Sequence, residues 1–148
     1  MSDTTAMSDT TARDLSRYRI NKAKNLVKQA EVLLKSGGYD GSINRSYYAI
    51  FNAIRALLAL LSLDSQRHSG VISYFDRYFV KTGIFEKLFS HIAHDAFDVR
   101  QMSDYEDFAM PTAAQAQQQF DNATQLVHEV EQKRELFLQQ KILLPKVS

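Results

Sequence analysis

The chain has 148 residues, enough for one domain with a sizeable core, and its formal net charge of +1 excludes a large basic field for nucleic acid. It contains no cysteine, which excludes disulfides, thiolate metal ligands and a cysteine nucleophile. The longest apolar run, residues 56–61, is far shorter than the roughly 20 residues of a membrane span, and the polar start of the chain has no signal-peptide core. These features predict a cytoplasmic protein.

The N-terminal segment repeats the hexapeptide MSDTTA, once over residues 1–6 and again over residues 7–12. It is polar and has no apolar periodicity, so we predict that residues 1–12 are disordered or derived from cloning. The helical domain is predicted over residues 13–140. A flexible tail is expected over residues 141–148.

Apolar residues recur at helical spacing in five segments. The predicted helices cover residues 13–35, 42–61, 69–80, 84–102 and 112–140. The second helix, capped by Asp40 or Ser42, is expected to be central because apolar and alanine side chains lie on more than one of its faces. An acidic loop is predicted over residues 103–110. Thr112 and Gln115 then have capping-box spacing at the start of the last helix. The predicted fold class is all-α, a five-helix up-and-down antiparallel bundle.

A polar stripe runs along this otherwise apolar second helix. Its members, which share one helical face, are Asn44, Arg45, Tyr48, Asn52 and Arg55. Such groups are either satisfied by buried partners or exposed along a groove. In the first case the arginines pair with carboxylates such as Asp40, Glu31 or Asp104. In the second case the arginines hold phosphates, while the tyrosine and asparagine side chains contact a base or a ribose.

Arg100 and His68 are candidates for acid–base and phosphate chemistry. Arg100 is four residues before Asp104, so it either forms a simple ion pair or stabilises a phosphorane-like transition state. Tyr105 follows, but an unperturbed pKa of about 10 makes tyrosine a poor general base. His68, at the head of the third helix, is either a surface or capping residue or an acid–base group.

The fourth helix carries a group of metal-ligand type, namely His91, His94, Asp95 and Asp98. The four residues share a face that lies opposite the apolar residues of this helix, so we expect that face to be solvated. Ligands on one open helix rarely close a coordination sphere. An exposed His–Asp pair is therefore favoured here, and no metal site is predicted.

Four stretches of the chain resemble the HEPN domain family. They are GSINRSYYAIF at residues 41–51, HSGVI at 68–72, FVKTG at 79–83 and RQMSDY at 100–105. Their order and spacing are similar to a small stand-alone prokaryotic subfamily, and the resemblance covers about residues 13–140. It implies a five-helix bundle that is commonly a homodimer. It also implies a minimal nucleotidyltransferase as partner in a toxin–antitoxin pair.

Many active HEPN members are metal-independent endoribonucleases with an arginine followed, after four to six residues, by a histidine at a cleft on the dimer interface. Arg100 fits the arginine, but Tyr105 stands where four intervening residues would place the histidine. His68 could take that place if it reaches the cleft. The resemblance thus implies catalytic roles for Arg100, Tyr105 and His68. The residues that it implies for RNA or nucleotide binding are Asn44, Arg45, Tyr48 and Asp104.

Three functions follow from these observations. The first is the RNA-targeting component of a toxin–antitoxin-like pair, either a ribonuclease or a catalytically weakened relative. The second is a non-enzymatic module that binds a nucleotidyltransferase, which the missing histidine and the near-zero net charge favour. The third is direct nucleotide binding at the polar stripe. No cofactor, membrane or DNA partner is expected for any of the three.

Overall fold

The computed structural model describes residues 8–105 and 110–148, with the backbone alone for residues 103–105. Its five helices are α1 (Asp9–Lys35), α2 (Tyr39–Leu60), α3 (His68–Phe75), α4 (Lys87–Tyr105) and α5 (Ala113–Leu138). A π-helical turn, Asp76–Val80, continues α3. Within the described ranges there is no strand. The structure therefore confirms the predicted all-α fold class with five helices.

Helix α2 is the centre of the bundle, as predicted, because it contacts each of the other four helices. Four alanines at helical spacing, which are all fully buried, allow these neighbours to approach on more than one side: Ala49, Ala53, Ala56 and Ala59. The packing of α1 on α2 is antiparallel. The Ser42 hydroxyl donates to the Ala30 carbonyl oxygen near one end, and the Arg19 guanidinium donates to the Arg55 carbonyl oxygen near the other.

The first two helices begin earlier than predicted. Helix α1 begins at Asp9 instead of residue 13, because Ser8 caps it by accepting a hydrogen bond from the Thr11 backbone N–H. Helix α2 begins at Tyr39 with Gly38 as its N-cap. The prediction that Asp40 or Ser42 caps this helix is wrong. Both residues lie inside it, since the turn that follows α1 is completed within three residues by a glycine with positive φ, Gly37.

The boundaries of the later helices also differ from the prediction. The third predicted helix ends as a π-turn, in which the Lys81 N–H donates to the Asp76 carbonyl oxygen. Helix α4 continues to Tyr105, so residues 103–105 are helical and do not belong to a loop. The capping box of α5 is confirmed. The Gln115 N–H donates to the Thr112 hydroxyl, and the Gln115 side chain accepts from the Thr112 N–H.

The C-terminal segment after α5 returns toward α3. Ile142 packs against the core, and the carbonyl oxygen of Ser148 accepts a hydrogen bond from the Tyr78 hydroxyl at 3.3 Å. Within the described residues, every helix is too short or too polar to span a membrane.

Candidate functional site

A cluster of aromatic and cationic side chains forms where α2, α3 and α4 meet. The His68 cluster consists of Tyr47, Tyr48, Phe51, His68 and Arg100. Tyr47 Oη and His68 Nδ1 share a hydrogen bond of 2.6 Å. The His68 ring also lies against Phe51, with 4.3 Å between the ring centroids. These contacts fix the imidazole at the start of α3.

Arg100 approaches the same aromatic side chains from α4. Its guanidinium carbon is 5.1 Å from the ring centroid of Tyr47 and 5.1 Å from that of Tyr48, within cation–π distance of both. The tyrosine pair thus contacts both His68 and Arg100. Two residues that are 32 positions apart in the chain reach one site in this way.

The electrostatic environment keeps His68 neutral near pH 7. Its pKa lies below the ordinary value because burial disfavours the imidazolium, and the positive charges of Arg100 and Arg55 add to this effect. Burial raises the pKa of Tyr47 to about 12, and Tyr48 adds to the rise while Arg100 opposes it. The cluster therefore offers a neutral imidazole, a protonated phenol and a guanidinium cation.

The loop that leads into α3 is held by an ion-pair network. Arg55 binds Asp64 through two hydrogen bonds, of 3.1 and 2.7 Å, and Arg19 contacts the same carboxylate at 3.3 Å. Burial raises the pKa of Asp64, but hydrogen bonds from Arg55 and from the Ser65 N–H, together with both arginine charges, lower it overall. Asp64 thereby ties the segment preceding His68 to α1 and α2.

The loop that precedes α3 also lies in close contact with Gly70, through Ser65. A Cβ atom placed on Gly70 would lie 2.2 Å from the Ser65 hydroxyl oxygen and 2.9 Å from the Ser65 Cβ. The same hydroxyl accepts a hydrogen bond from the Arg67 N–H at 3.2 Å. The glycine of the HSGV sequence therefore lets the loop lie against the first turn of α3, the turn that carries His68.

The polar stripe divides between different environments. Asn52 is buried and donates to the Tyr48 carbonyl oxygen at 2.8 Å, and Arg55 pairs with Asp64, which was not among the predicted carboxylates. Tyr48 joins the His68 cluster. Arg45 bonds to Gln29 at 3.0 Å and to Asn44 at 2.9 Å, toward α1. The stripe is thus structural at one end and borders a groove at the other.

The histidine and aspartate residues that were singled out on α4 do not form a metal site among the described residues. His94 pairs with Asp76 of the π-turn at 2.6 Å, rather than with an aspartate of its own helix. Together with His91 and Asp95 it lines a groove of about 510 Å³. Among the described residues no group of three or more histidine and carboxylate side chains could hold a metal ion. The side chains of Asp104 and Tyr105 lie outside the described residues, so their predicted roles remain predictions.

The sequence predicts site roles for His68, Arg100 and Tyr48 but only a core position for Tyr47. Tyr47 is only 2% exposed, which agrees with a core position, yet its hydroxyl reaches His68. A signal was available, since a buried tyrosine normally needs a partner for its hydroxyl. Asp64 was missed because an aspartate in a predicted loop carries no periodic pattern.

Fold and site together define an all-helical protein whose central helix presents two tyrosines that contact a histidine and an arginine. The family model for the HEPN domain matches residues 16–133, and the chain therefore belongs to the HEPN domain family. This confirms the resemblance seen in the sequence.

Individual proteins are also similar to the chain over part of its length. "Putative toxin MJ0605" from Methanocaldococcus jannaschii is 34% identical over 86 residues, which cover 58% of this chain and 64% of the relative. "Putative toxin MJ0142" from the same organism is 35% identical over 95 residues, 64% of this chain and 63% of the relative. A "UPF0332 protein" from Thermotoga maritima is 36% identical over 88 residues, 60% of this chain and 67% of the relative. The match thus spans less than two thirds of the length of the two relatives named as toxins.

Proposed function

We propose that the protein is the RNA-targeting component of a toxin–antitoxin-like pair and that the His68 cluster is its ribonuclease site. The observation that carries this proposal is the 2.6 Å hydrogen bond that orients His68 on Tyr47, whose ring also contacts Arg100. An oriented neutral imidazole beside a guanidinium has the groups that phosphoryl transfer needs. His68 takes the role of the histidine that the sequence lacks after Arg100.

The proposed reaction uses the 2′-hydroxyl of RNA as the nucleophile. In the tautomer whose Nδ1–H donates to Tyr47 Oη, His68 Nε2 has a free lone pair and accepts the 2′-hydroxyl proton. The 2′-oxygen forms a bond to phosphorus and the bond to the 5′-oxygen breaks, with the leaving oxygen protonated by water. Arg100 stabilises the additional negative charge of the phosphorane. The products are a 2′,3′-cyclic phosphate and a 5′-hydroxyl end.

The proposal also includes a protein partner that acts as the antitoxin. The HEPN resemblance implies a minimal nucleotidyltransferase as antitoxin and a homodimer that forms the RNA cleft between two copies. Two relatives bear the name of a toxin, which supports a paired system of this kind. We infer that the chain acts as the toxin of such a pair.

The test is cleavage of total cellular RNA by the purified protein, with the new ends identified chemically. Wild type should release 5′-hydroxyl ends, while His68→Ala and Arg100→Ala should each lose at least about 100-fold in rate, the usual scale for an acid–base group or a charge-stabilising donor. His91→Ala is the matched control, because His91 is exposed on α4 and belongs to another groove. Absence of cleavage by wild type, together with harmless expression in cells, would disprove the nuclease function.

The alternative is a non-enzymatic module that binds a nucleotidyltransferase. Two observations favour this alternative. The ion pair with Asp64 already occupies Arg55, one of the arginines of the polar stripe, and the net charge of the chain is only +1. Co-purification with the product of a neighbouring gene, without any RNA cleavage, would support this alternative. A lone monodisperse protein that cleaves RNA would exclude it.

A further inference from the structure

A second groove lies between α1 and α2, apart from the His68 cluster. The Lys28–Arg45 groove has a volume of about 430 Å³ and is lined by Lys28, Gln29, Val32, Leu33 and Arg45. Two of its five lining residues are cationic and none is anionic. Val32 is 67% exposed, so the groove also presents apolar surface to solvent.

The groove has a defined shape because its walls are held in place. The Arg45 Nε–H donates to Gln29 at 3.0 Å, which spans the two helices. Leu33 packs close to α2, since a Cβ atom placed on Gly41 would lie 3.0 Å from the Leu33 Cδ1. A preformed groove of this kind costs little ordering entropy when a ligand binds.

The Lys28–Arg45 groove and the His68 cluster both border α2. Arg45 is three residues before Tyr48, so the two side chains are neighbours on one face of the helix. Tyr48 in turn lies beside Arg100. An RNA strand whose reacting phosphate lies at Arg100 and His68 can therefore extend over Tyr48 toward Arg45.

We propose that the Lys28–Arg45 groove is a subsite for single-stranded RNA flanking the cleavage position, a proposal that rests on the proposed ribonuclease function. Lys28 and Arg45 bind phosphate oxygens, and Val32 supports a base by apolar contact. Single-stranded RNA is the occupant to which the proposal commits, because such binding tracks the phosphate backbone with a positively charged groove, and this groove has two cationic residues and no anionic one. An acidic protein segment is the competing occupant, and the test distinguishes the two.

The experiment measures binding of a fluorescent 2′-O-methyl oligonucleotide, which lacks the 2′-hydroxyl nucleophile and cannot be cleaved, as a function of salt. Each phosphate contact with a single strand contributes about 0.7 to the slope of log K against log salt. Lys28→Gln and Arg45→Gln should each weaken binding about fivefold at 0.1 M salt, and the double variant about 25-fold with a slope lower by about 1.4. Val32→Ser should weaken binding without changing the slope.

The matched control is Lys22→Gln, an exposed lysine on the same helix that does not line the groove. It should keep the wild-type affinity and slope, and thermal melting should confirm that every variant is folded. Wild-type affinity and slope in the double variant would overturn the subsite while leaving cleavage at the His68 cluster intact. The subsite would also be overturned if the double variant lost binding to a protein partner and kept its affinity for RNA. Wild type that neither binds nor cleaves RNA would refute the proposed function itself.

Discussion

Gly70→Ala tests how the His68 loop is attached to α3. Helix propensity alone predicts a gain of about 0.5–1 kcal/mol from alanine inside a helix. The structure predicts the opposite sign, because the new Cβ would lie 2.2 Å from the Ser65 Oγ and 2.9 Å from the Ser65 Cβ. Overpacking of this kind costs about 1–3 kcal/mol. We expect a net loss of about 1–2 kcal/mol in the free energy of unfolding, once the propensity gain is included.

The assay is thermal and urea unfolding of single and double variants. For a domain of this size the expected loss corresponds to a fall in Tm of about 3–6 °C. Ser65→Gly removes both clashing atoms, so the double variant with Gly70→Ala should recover most of the loss, with a coupling of at least about 1 kcal/mol. Gly41→Ala is the control, because its nearest neighbour is a terminal methyl group of Leu33 at 3.0 Å, which can move. A rise in Tm for Gly70→Ala would refute the steric argument.

Three further predictions concern the site and its support. Asp64→Asn should lower the free energy of unfolding by about 1–2 kcal/mol in urea, because it leaves the largely buried Arg19 without its carboxylate, while the half-exposed position of Asp64 keeps the loss below that of a fully buried pair. Tyr47→Phe should reduce the rate of RNA cleavage at least about tenfold with little effect on RNA binding, because the ring stays beside Arg100 but His68 loses its hydrogen bond. Cleavage by wild type should rise with pH and level off by neutral pH, with a midpoint below about 6.5, because the base must be unprotonated and the pKa of His68 is lowered.

Controls for these variants come from the same chain. Lys24→Gln removes an exposed ion pair with Glu131 and should cost less than about 1 kcal/mol, which sets the scale for Asp64→Asn. Tyr78→Phe removes a hydroxyl that donates to the Ser148 carbonyl oxygen, away from the His68 cluster, so cleavage should be unaffected. Equal losses of unfolding free energy in Asp64→Asn and Lys24→Gln would contradict the first prediction. A wild-type rate of cleavage in Tyr47→Phe would contradict the second. A midpoint of the pH–rate profile above pH 7 would contradict the third.

Much of the fold could be predicted because apolar periodicity is a local property of the sequence. The periodic positions of α2 identified it as the central helix, and Thr112 with Gln115 marked the start of α5. The predicted positions of the helix ends were less accurate than the predicted helices themselves. The helical conformation of residues 103–105 and the π-turn after Phe75 were not predicted, because periodicity does not report where a helix continues or changes its hydrogen-bond pattern.

The sequence by itself determined the fold class and the family, and it singled out three residues of the His68 cluster: Tyr48, His68 and Arg100. Only the tertiary structure decided that these residues meet, that Tyr47 joins them through its hydroxyl, and that Arg45 borders a separate groove. The tertiary structure also decided that Arg55 pairs with Asp64, because Asp64 lies in a loop whose sequence has no apolar periodicity. The physical reason is that helix formation depends on neighbours within a turn or two of the chain, whereas these contacts join side chains from different elements once α2 is buried.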